Sequence, residues 1–539
     1  MCYNLLDWNG GDTMENEEKD KLNSIPYFKR LFMLCLLFFK LGIVNFGGGY
    51  ALLPLLSKEL VEKRGWTTDE ELADYYAVGQ CTPGAIAVNV STFIGCKICG
   101  TLGGILATVS FVLPAFIIIF IIATVLTNFN QNPFVVNALA GINVVVFVLI
   151  LSAVKKLSKK SIIDIFGLLI AITVAFMAIF LKAIPLYVYV IAAAILGLLI
   201  NIIKEKRFES KYKIKDENIE KPKEENIEEP KEEKIEKKVN KVNKEKLTKK
   251  DVLMFIFGIF VGLLTGLIGA ISLIFVKNKK YRNGLIVTSF FWIIIAICLL
   301  VSIITNNYVY FEIYFNFFRI GACAFGGGLA TFPFLEELGK TTGWYTEEQL
   351  TAMLAISEST PGAMGINMST YVGYSVSLGV YNNYFLAFVG SIISTLGLVS
   401  PSIIVILIVS LFLKKFRTNK YVNFIFYGLR AASIGLIIAA AYSVLRVALF
   451  NVVDPLADVK EHYDIVSAFN QTVDYFKTND GANFFSVIYK YLTLLLDFRA
   501  VMVALVFGIF IFKFKKHPVL YIAIGAVVGI ILQMGNVSL

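Results

Sequence analysis

Two runs of consecutive glycines interrupt apolar segments of this 539-residue chain: FGGGYALLP begins at Phe46 and FGGGLATFP at Phe325. A helix that is interrupted inside a membrane leaves backbone groups unpaired, and these are tolerated only where they line a cavity or meet a ligand. Glycine lets the backbone approach an ion closely and adopt φ values that other residues avoid. Helix packing explains consecutive glycines poorly, because a packing face needs small residues four positions apart. We therefore predict a helix break that serves binding in each run.

A second motif, TPGA, follows each glycine run, beginning at Thr82 and at Thr360. Each threonine is predicted to cap a helix, with Pro83 or Pro361 at the first helical position. The free N–H groups and positive dipole end of such a half-helix suit an anion. Side chains on the next turns offer neutral donors, although the hydroxyls could instead bond to carbonyls of their own helix. These side chains are Asn89, Ser91, Thr92, Asn367, Ser369 and Thr370.

Two cations lie at matching places inside the apolar runs. Lys40 and Arg319 each precede Phe-Gly-Gly-Gly by six residues. An ionisable group at such a depth is costly and indicates a functional site, whereas the alternative is a side chain that extends to the headgroups. With the helix N-termini, the pair predicts an anion-selective cavity.

A carboxylate stands directly before one of the two TPG motifs. Glu358 occupies the position that matches Gln80 in the other half. A carboxylate beside an anion site can exchange a proton and couple transport to it. The alternative is a structural ion pair with Arg319 or Arg430, so Glu358, Gln80 and Arg430 are the coupling candidates.

The complete prediction contains a substrate site and no catalytic residue, metal ligand or cofactor. Both histidines, His462 and His517, lie outside the apolar runs, and Cys96 and Cys99 form a lone C-x-x-C that is typical of small apolar residues at a helix end. The glycine runs also lack the Lys-Ser/Thr of a phosphate-binding loop. The predicted substrate-binding residues are Lys40, Phe46, Gly47, Gly48, Gly49, Thr82, Pro83, Gly84, Asn89, Arg319, Phe325, Gly326, Gly327, Gly328, Thr360, Pro361, Gly362 and Asn367.

Composition decides which elements carry these residues. The chain is 57% hydrophobic and 17% charged, and its apolar runs are long enough to cross a hydrocarbon core. The polar first 30 residues contain no cleavable secretory signal. The net charge of +10 lies mostly in loops beside helices, where it orients membrane proteins, and nucleic-acid binding is not expected.

The chain repeats itself. The glycine run, then G-W-x-T-[DE]-E-x-L at Gly65 and Gly343, then TPGA occur twice in one order. Thr68 and Thr346 in the middle block are predicted helix caps, and the block is interpreted as structural. The domains are a polar segment 1–30, a first repeat 31–203, a charged disordered cytoplasmic tether 204–250, connecting hydrophobic segments 251–307, and a second repeat 308–539 with an external loop at 449–481.

Positive loops should face the cytoplasm, and those of the two halves do not occupy equivalent places. KKLSKK at 155–160 corresponds in the second half to the acidic segment after Phe450. We therefore predict an all-α, polytopic integral membrane protein, built as an inverted-topology repeat with Gly/Pro-broken helices. With 252–276 taken as re-entrant or interfacial, it has about 13 transmembrane segments.

The paired F-G-G-G-x-A-x-x-P, G-W-x-T-[DE]-E and T-P-G-A blocks resemble the chromate ion transporter family, in its long form with two fused halves. The resemblance implies a secondary transporter in the inner cell membrane that exports chromate, driven by proton entry or by exchange with sulfate. The expected partners are the oxyanion (chromate or sulfate), a coupling proton or counter-anion, and the lipid bilayer; a homodimer is left open. A passive anion channel or uniporter is the alternative, and an enzyme is not expected.

Overall fold

The computed structural model describes residues 25–45, 52–80, 82–129, 132–181, 184–216, 307–325, 327–410, 419–450, 496–514 and 518–535, with isolated positions between them. Several predictions lie outside these described residues. They are the site residues Phe46, Gly47, Gly48, Gly49 and Gly326, most of the tether, the 252–276 segment and the 449–481 loop.

The described part of the first half is a series of helices. They are α1 (Tyr27–Val44), α2 (Leu52–Leu56, continued by a wider turn over Ser57–Glu62), α3 (Asp69–Gly79), α4 (Ile86–Phe129), α5 (Pro133–Ser161), α6 (Ile165–Phe180) and α7 (Leu186–Asp216). The long α4 contains a kink, because Cys99 and Gly100 depart from helical geometry and Gly100 has a φ of 69°.

The second half presents the same order of helices. They are α8 (Val309–Cys323), a short 3-10 turn (Gly328–Thr331), α9 (Phe332–Thr342), α10 (Glu347–Ser359), α11 (Met364–Tyr381), α12 (Tyr384–Ser410), α13 (Lys420–Leu449), α14 (Phe498–Phe514) and α15 (Pro518–Ile531). Here α11 and α12 are separate helices, whereas their counterparts are the two arms of the kinked α4.

The predicted caps of the middle block are confirmed. Thr68 accepts a hydrogen bond from the Glu71 N–H and Thr346 accepts one from the Gln349 N–H, each within a reciprocal capping box. Such a box satisfies two backbone donors at the start of a helix, which explains why α3 and α10 begin directly after these threonines.

The prediction of an all-helical membrane protein is confirmed. Among the described residues, five helical stretches are long and apolar enough to cross a membrane: 86–125, 133–159, 186–205, 384–410 and 420–449. Two shorter apolar helices, Ile165–Phe180 and Pro518–Ile531, accompany them. The total of about 13 crossings stays a prediction.

Equivalent helices of the two halves make equivalent close contacts. α1 packs on the second arm of α4, where a Cβ placed on Gly42 would lie 2.3 Å from the Phe111 carbonyl oxygen. α8 packs on α12 in the same way, and a Cβ on Gly321 would lie 2.1 Å from the Leu398 oxygen. Small residues at these places let the two backbones touch, as in other membrane helix pairs.

The two halves also exchange helices. α5 packs against α14 and α15 of the other half, and α13 packs against α6 and α7. At the second of these contacts a Cβ on Gly428 would lie 1.8 Å from the Ala193 oxygen. Each half therefore completes its packing with the last two helices of the other, while α4 contacts α11 and α12 between them.

Candidate functional site

The two TPG loops join the halves through reciprocal backbone hydrogen bonds. The Gly84 N–H donates to the Ala324 carbonyl at 2.8 Å, and the Gly362 N–H donates to the Asn45 carbonyl at 2.8 Å. Ala324 and Asn45 are the residues that stand directly before the two glycine runs. Each TPG loop of one half therefore meets the broken helix of the other.

Gly84 and Gly362 both require glycine. Their φ angles are 93° and 115°, in the left-handed region that other residues rarely adopt. A Cβ on Gly84 would also lie 2.5 Å from Ser402 Oγ, and one on Gly362 would lie 2.5 Å from Ala115 Cβ. Conformation and close approach thus restrict the same two positions.

The predicted role of Thr82 and Thr360 as helix N-caps is wrong. α4 begins at Ile86, and α11 begins at Met364 without a side-chain cap. The threonine hydroxyls instead donate backwards to the preceding helix, from Thr82 to the Val78 oxygen at 3.2 Å and from Thr360 to the Ile356 oxygen at 3.0 Å. The hydroxyl satisfies a carbonyl that lost its partner when the preceding helix ended.

Asn89 and Asn367 hold these loops in shape. Asn89 Nδ2 donates to Thr82 Oγ1 at 2.9 Å and to the Pro83 oxygen at 3.0 Å. Asn367 Nδ2 donates to Thr360 Oγ1 at 3.0 Å and to the Pro361 oxygen at 3.2 Å. The amide N–H groups that were expected to meet an anion are therefore engaged within the protein.

The hydroxyls on the following turns bond to their own helices, the alternative that their residue types left open. Ser91 and Thr92 donate to carbonyl oxygens of α4 at 2.7 and 2.9 Å. Ser369 and Thr370 donate to the Ile366 oxygen at 2.8 and 2.9 Å. These side chains offer no spare donor to a ligand.

A cleft lies where the first TPG loop meets the second glycine run. Its cavity volume is about 10 Å³, enough for roughly one water molecule. The first turns of α4 and α11 both border the cleft. The first N–H groups of any helix have no acceptor within their own helix. None of the described residues that line it is charged: they are Gly84, Ala85, Val88, Gly321, Ala324, Gly327, Gly328, Thr331, Gly365, Ile366, Leu398, Val399 and Ser402.

Short contacts fix the broken segment beside the cleft. Gly327 has a φ of 106°, and Thr331 Oγ1 donates to the Gly328 oxygen at 2.5 Å. Ser433 of α13 donates to the Phe325 oxygen at 2.7 Å. Gly327 and Gly328 thus lie in the break between α8 and α9 and line the cleft.

The predicted cations do not enter this cleft. Lys40 and Arg319 are both exposed on their helices. The guanidinium carbon of Arg319 lies 5.9 Å from the centre of the Tyr187 ring, on α7. The six-residue spacing to the glycine run puts both cations nearly two helical turns away, on outward faces.

Two of the coupling candidates, Glu358 and Gln80, lie at the ends of the equivalent helices α10 and α3, and the third lies in α13. Glu358 is half-buried, and within the described residues its carboxylate forms no ion pair with Arg319 or Arg430. Gln80 ends α3, where its N–H donates to the Tyr76 oxygen. Arg430 lies half-buried in α13.

Two polar residues beside the TPG loops were not among the sites predicted from the sequence. Asn45 is fully buried, and Ser402 donates to Asn89 Oδ1 and, at 3.2 Å, to the Pro83 oxygen. An alignment of the two repeats could have identified both residues, because Asn45 corresponds to Ala324 and Ser402 corresponds to Ala115. These are polar differences at positions that otherwise match.

Comparison of the sequence with known proteins identifies the family. The family model of chromate transporters matches residues 32–198 and 311–530. An uncharacterized transporter of Methanocaldococcus jannaschii is 23% identical over 429 residues, which are 79% of this chain and 86% of that protein.

Shorter alignments reach proteins that carry the substrate in their names. The chromate transport protein of Cupriavidus metallidurans is 29% identical over 147 residues, 26% of this chain and 37% of that protein. The chromate transport protein of Pseudomonas aeruginosa is 32% identical over 146 residues, 26% of this chain and 34% of that protein. No solved structure matches the chain.

The two matched regions coincide with the two repeats and together cover more than half of the chain. The predicted resemblance, in its long two-half form, is therefore confirmed: this multi-pass membrane protein belongs to the chromate transporter family.

Proposed function

We propose that this chain is a secondary active transporter of a divalent tetrahedral oxyanion, chromate or sulfate, in the inner cell membrane. The observation that carries the proposal is the pair of reciprocal hydrogen bonds, Gly84 to Ala324 and Gly362 to Asn45, which join the broken helices of both halves. Transporters commonly place their substrate at the meeting point of such discontinuous helices. The names of the relatives from C. metallidurans and P. aeruginosa support chromate as one substrate.

The proposed anion ligands are backbone N–H groups. The cleft is lined by glycine backbone and by the starts of α4 and α11, whose helix dipoles favour negative charge. Backbone donors read charge and shape but not the central atom, so chromate and sulfate would compete. This chemistry replaces the side-chain amides and hydroxyls, which are engaged elsewhere.

Alternating access is proposed to follow from the repeat. The exchanged packing of α5 with α14 and α15, and of α13 with α6 and α7, supports a two-fold relation between the halves. The unequal distribution of basic loops adds the proposal that the halves are inverted, with about 13 crossings in all. Rocking of one half against the other would then open the cleft to either side.

Coupling is proposed to use a proton or a counter-anion. Glu358 remains the candidate for the proton because it stands directly before TPG and forms no ion pair within the described residues. Glu358→Gln, which gives this site the amide that Gln80 carries in the first half, should abolish dependence on a pH gradient. Exchange against internal sulfate should continue in that variant if a counter-anion drives the cycle.

The deciding experiment is uptake of labelled chromate and sulfate into proteoliposomes that contain the full chain. Uptake is measured with and without an imposed pH gradient, and with sulfate trapped inside. Accumulation above equilibrium in response to either gradient supports a coupled carrier and identifies its driving ion. Downhill flux that ignores both gradients would replace the proposal with a passive channel or uniporter.

A further inference from the structure

The backbones of the two halves meet at two places, through the hydrogen bonds from Gly84 to Ala324 and from Gly362 to Asn45. These two places differ in one polar contact. We call Gly84, Ala324, Asn89 and Ser402 the serine junction, and Gly362, Asn45, Asn367 and Ala115 the alanine junction. In the serine junction the Ser402 hydroxyl donates hydrogen bonds to Asn89 Oδ1 and to the Pro83 oxygen. Ala115 occupies the matching place beside Gly362 and has no donor.

The alanine junction accordingly contains buried oxygen without a partner. Asn367 is fully buried, and among the described residues its Oδ1 has no hydrogen-bond partner while its Nδ2 is engaged. Asn45 is also fully buried, and neither of its side-chain polar atoms has a partner in the part of the chain that the structure describes. Leaving a buried polar atom unpaired costs about 1–3 kcal/mol, so such atoms in a native site indicate a ligand or a water.

Both asparagines adjoin Gly362. The Asn45 carbonyl accepts the Gly362 N–H at 2.8 Å, and a Cβ on Gly362 would lie 2.9 Å from Asn367 Oδ1. The last turn of α1, which ends at Val44, adds carbonyl oxygens that have no partner within the helix. The negative end of the helix dipole is at the same place and favours a cation.

We propose that the alanine junction binds a small monovalent cation of the size of Na⁺. Its oxygens come from amides and carbonyls, and no residue of the junction carries a carboxylate, which divalent cations prefer. Unwound backbone carbonyls and helix C-terminal ends coordinate Na⁺ in transporters, and amide oxygens of side chains offer the same kind of neutral oxygen ligand. In the serine junction the Ser402 hydroxyl takes the place of the cation.

The inference deepens the proposed function, on which its meaning rests, by giving the two junctions different ligands. The anion would bind at the cleft of the serine junction and the cation at the alanine junction. A cation bound there would offset part of the charge of a divalent oxyanion during transport through the membrane.

The first test measures Na⁺ binding to the purified full chain, by radioactive ²²Na⁺ and by the melting temperature in NaCl against choline chloride at equal ionic strength. We expect saturable ²²Na⁺ binding and a higher melting temperature in NaCl, because a ligand of the native state stabilises it. Absence of both effects in the wild type would overturn the proposal and would indicate water in the junction.

Ala115→Ser is the sharpest variant, because it supplies the hydroxyl that closes the other junction. We expect it to weaken Na⁺ binding by roughly tenfold or more, as for the loss of one buried polar ligand. Gly379→Ala in α11 is the control, because a Cβ there meets nothing within 4 Å among the described residues, and it should retain the affinity of the wild type. Equal Na⁺ affinity in Ala115→Ser and the wild type would contradict the assignment.

Asn45→Ala provides a second test if Ala115→Ser fails to fold, since alanine already stands at the equivalent position 324. It should lose Na⁺ binding by a similar factor while the chain still elutes as one species, and unchanged binding would contradict the assignment. Binding of chromate and of sulfate, measured in choline chloride, separates the two proposals. Na⁺ binding without binding of either chromate or sulfate would refute the proposed function and leave the cation site standing.

Discussion

Gly84 and Gly362 are the residues at which the backbone has least freedom. Each has a positive φ, and a Cβ placed on it would lie 2.5 Å from the side chain of Ser402 or Ala115. Glycine adopts this conformation without strain, whereas any other residue would be strained and would overlap its neighbour. Both positions lie where the two halves cross.

Gly84→Ala and Gly362→Ala should each destabilise the folded chain and abolish oxyanion transport. Adoption of the left-handed region by alanine costs about 1–2 kcal/mol, and the overlap with the neighbour adds to this cost. Gly379→Ala in α11 is the control, because a Cβ there meets nothing within 4 Å and should be neutral or stabilising. Melting temperatures in detergent and flux in proteoliposomes measure both effects, and normal transport by either loop variant would contradict the role of the crossing.

Lys40→Ala and Arg319→Ala should change oxyanion transport by less than about tenfold. Both side chains are exposed, and an exposed charge usually contributes no more than about 1 kcal/mol. Their substitution by alanine should leave membrane insertion intact. Loss of transport or of anion selectivity in either variant would restore the cationic cavity that the sequence predicts.

At the scale of elements, one cluster ties three helices together around Asp164, which stands directly before α6 and outside the spanning segments. Asp164 caps α6 by accepting the Gly167 N–H at 2.9 Å, and it also pairs with Lys204 of α7 and Tyr427 of α13. Burial alone would raise the pKa of Asp164, but the hydrogen bonds from Lys204, Tyr427 and Gly167 lower this pKa to about 2. The folded state therefore favours the ionised carboxylate.

Asp164→Asn and Asp164→Ala should separate the contributions of the charge and the cap. Asparagine caps a helix as well as aspartate does, so its variant loses only the ion pair, whereas alanine also loses about 1 kcal/mol of capping. We expect melting temperatures in the order wild type, Asp164→Asn, Asp164→Ala. Identical values for both variants would show that the cap contributes nothing.

The same group predicts a pH dependence. Because the pKa is lower in the folded chain than the ordinary 3.8, the stabilisation is complete above that value and is lost as the pH falls towards about 2. The difference in melting temperature between wild type and Asp164→Asn should be constant from pH 7 to about pH 5. It should shrink below pH 4, and a difference that grows on acidification would contradict the assignment.

At the scale of the whole molecule, the exchange of helices makes the halves interdependent. α5 lacks its packing partners without α14 and α15, and α13 lacks its own without α6 and α7. The chain link between the halves is long and charged, and its first residues belong to α7, where Glu205 pairs with Lys420 of α13 at 2.8 Å. The described contacts between the halves involve residues of this link only up to Asp216.

Two separate chains, 1–216 and 251–539, should therefore co-purify from one membrane and transport oxyanion together, whereas neither should be stable alone. Gly428→Leu should prevent the assembly, because a Cβ at that glycine would lie 1.8 Å from the Ala193 oxygen across the interface. Gly508→Leu is the control, since its Cβ would meet nothing within 4 Å. Co-purification through a tag on one chain decides the outcome, and a stable, active first chain alone would contradict the exchange.

The membrane class, the repeat and the local signals follow from the sequence alone. Apolar run length, the doubled motifs and the capping residues Thr68 and Thr346 depend on residues close together in the chain, so pattern and chemistry suffice to read them. The left-handed turn at Gly327 in the second glycine run belongs to the same class, because it follows from the conformational freedom of glycine.

Which of these residues contact one another depends on the tertiary structure. The donors of Asn89 and Asn367 are engaged by their own loops, Lys40 and Arg319 lie on outward faces, and Ser402 reaches Asn89 from 313 positions away. The physical reason is that a hydrogen-bonding group binds whatever partner the packing of distant helices brings within about 3 Å, and no local pattern encodes that distance.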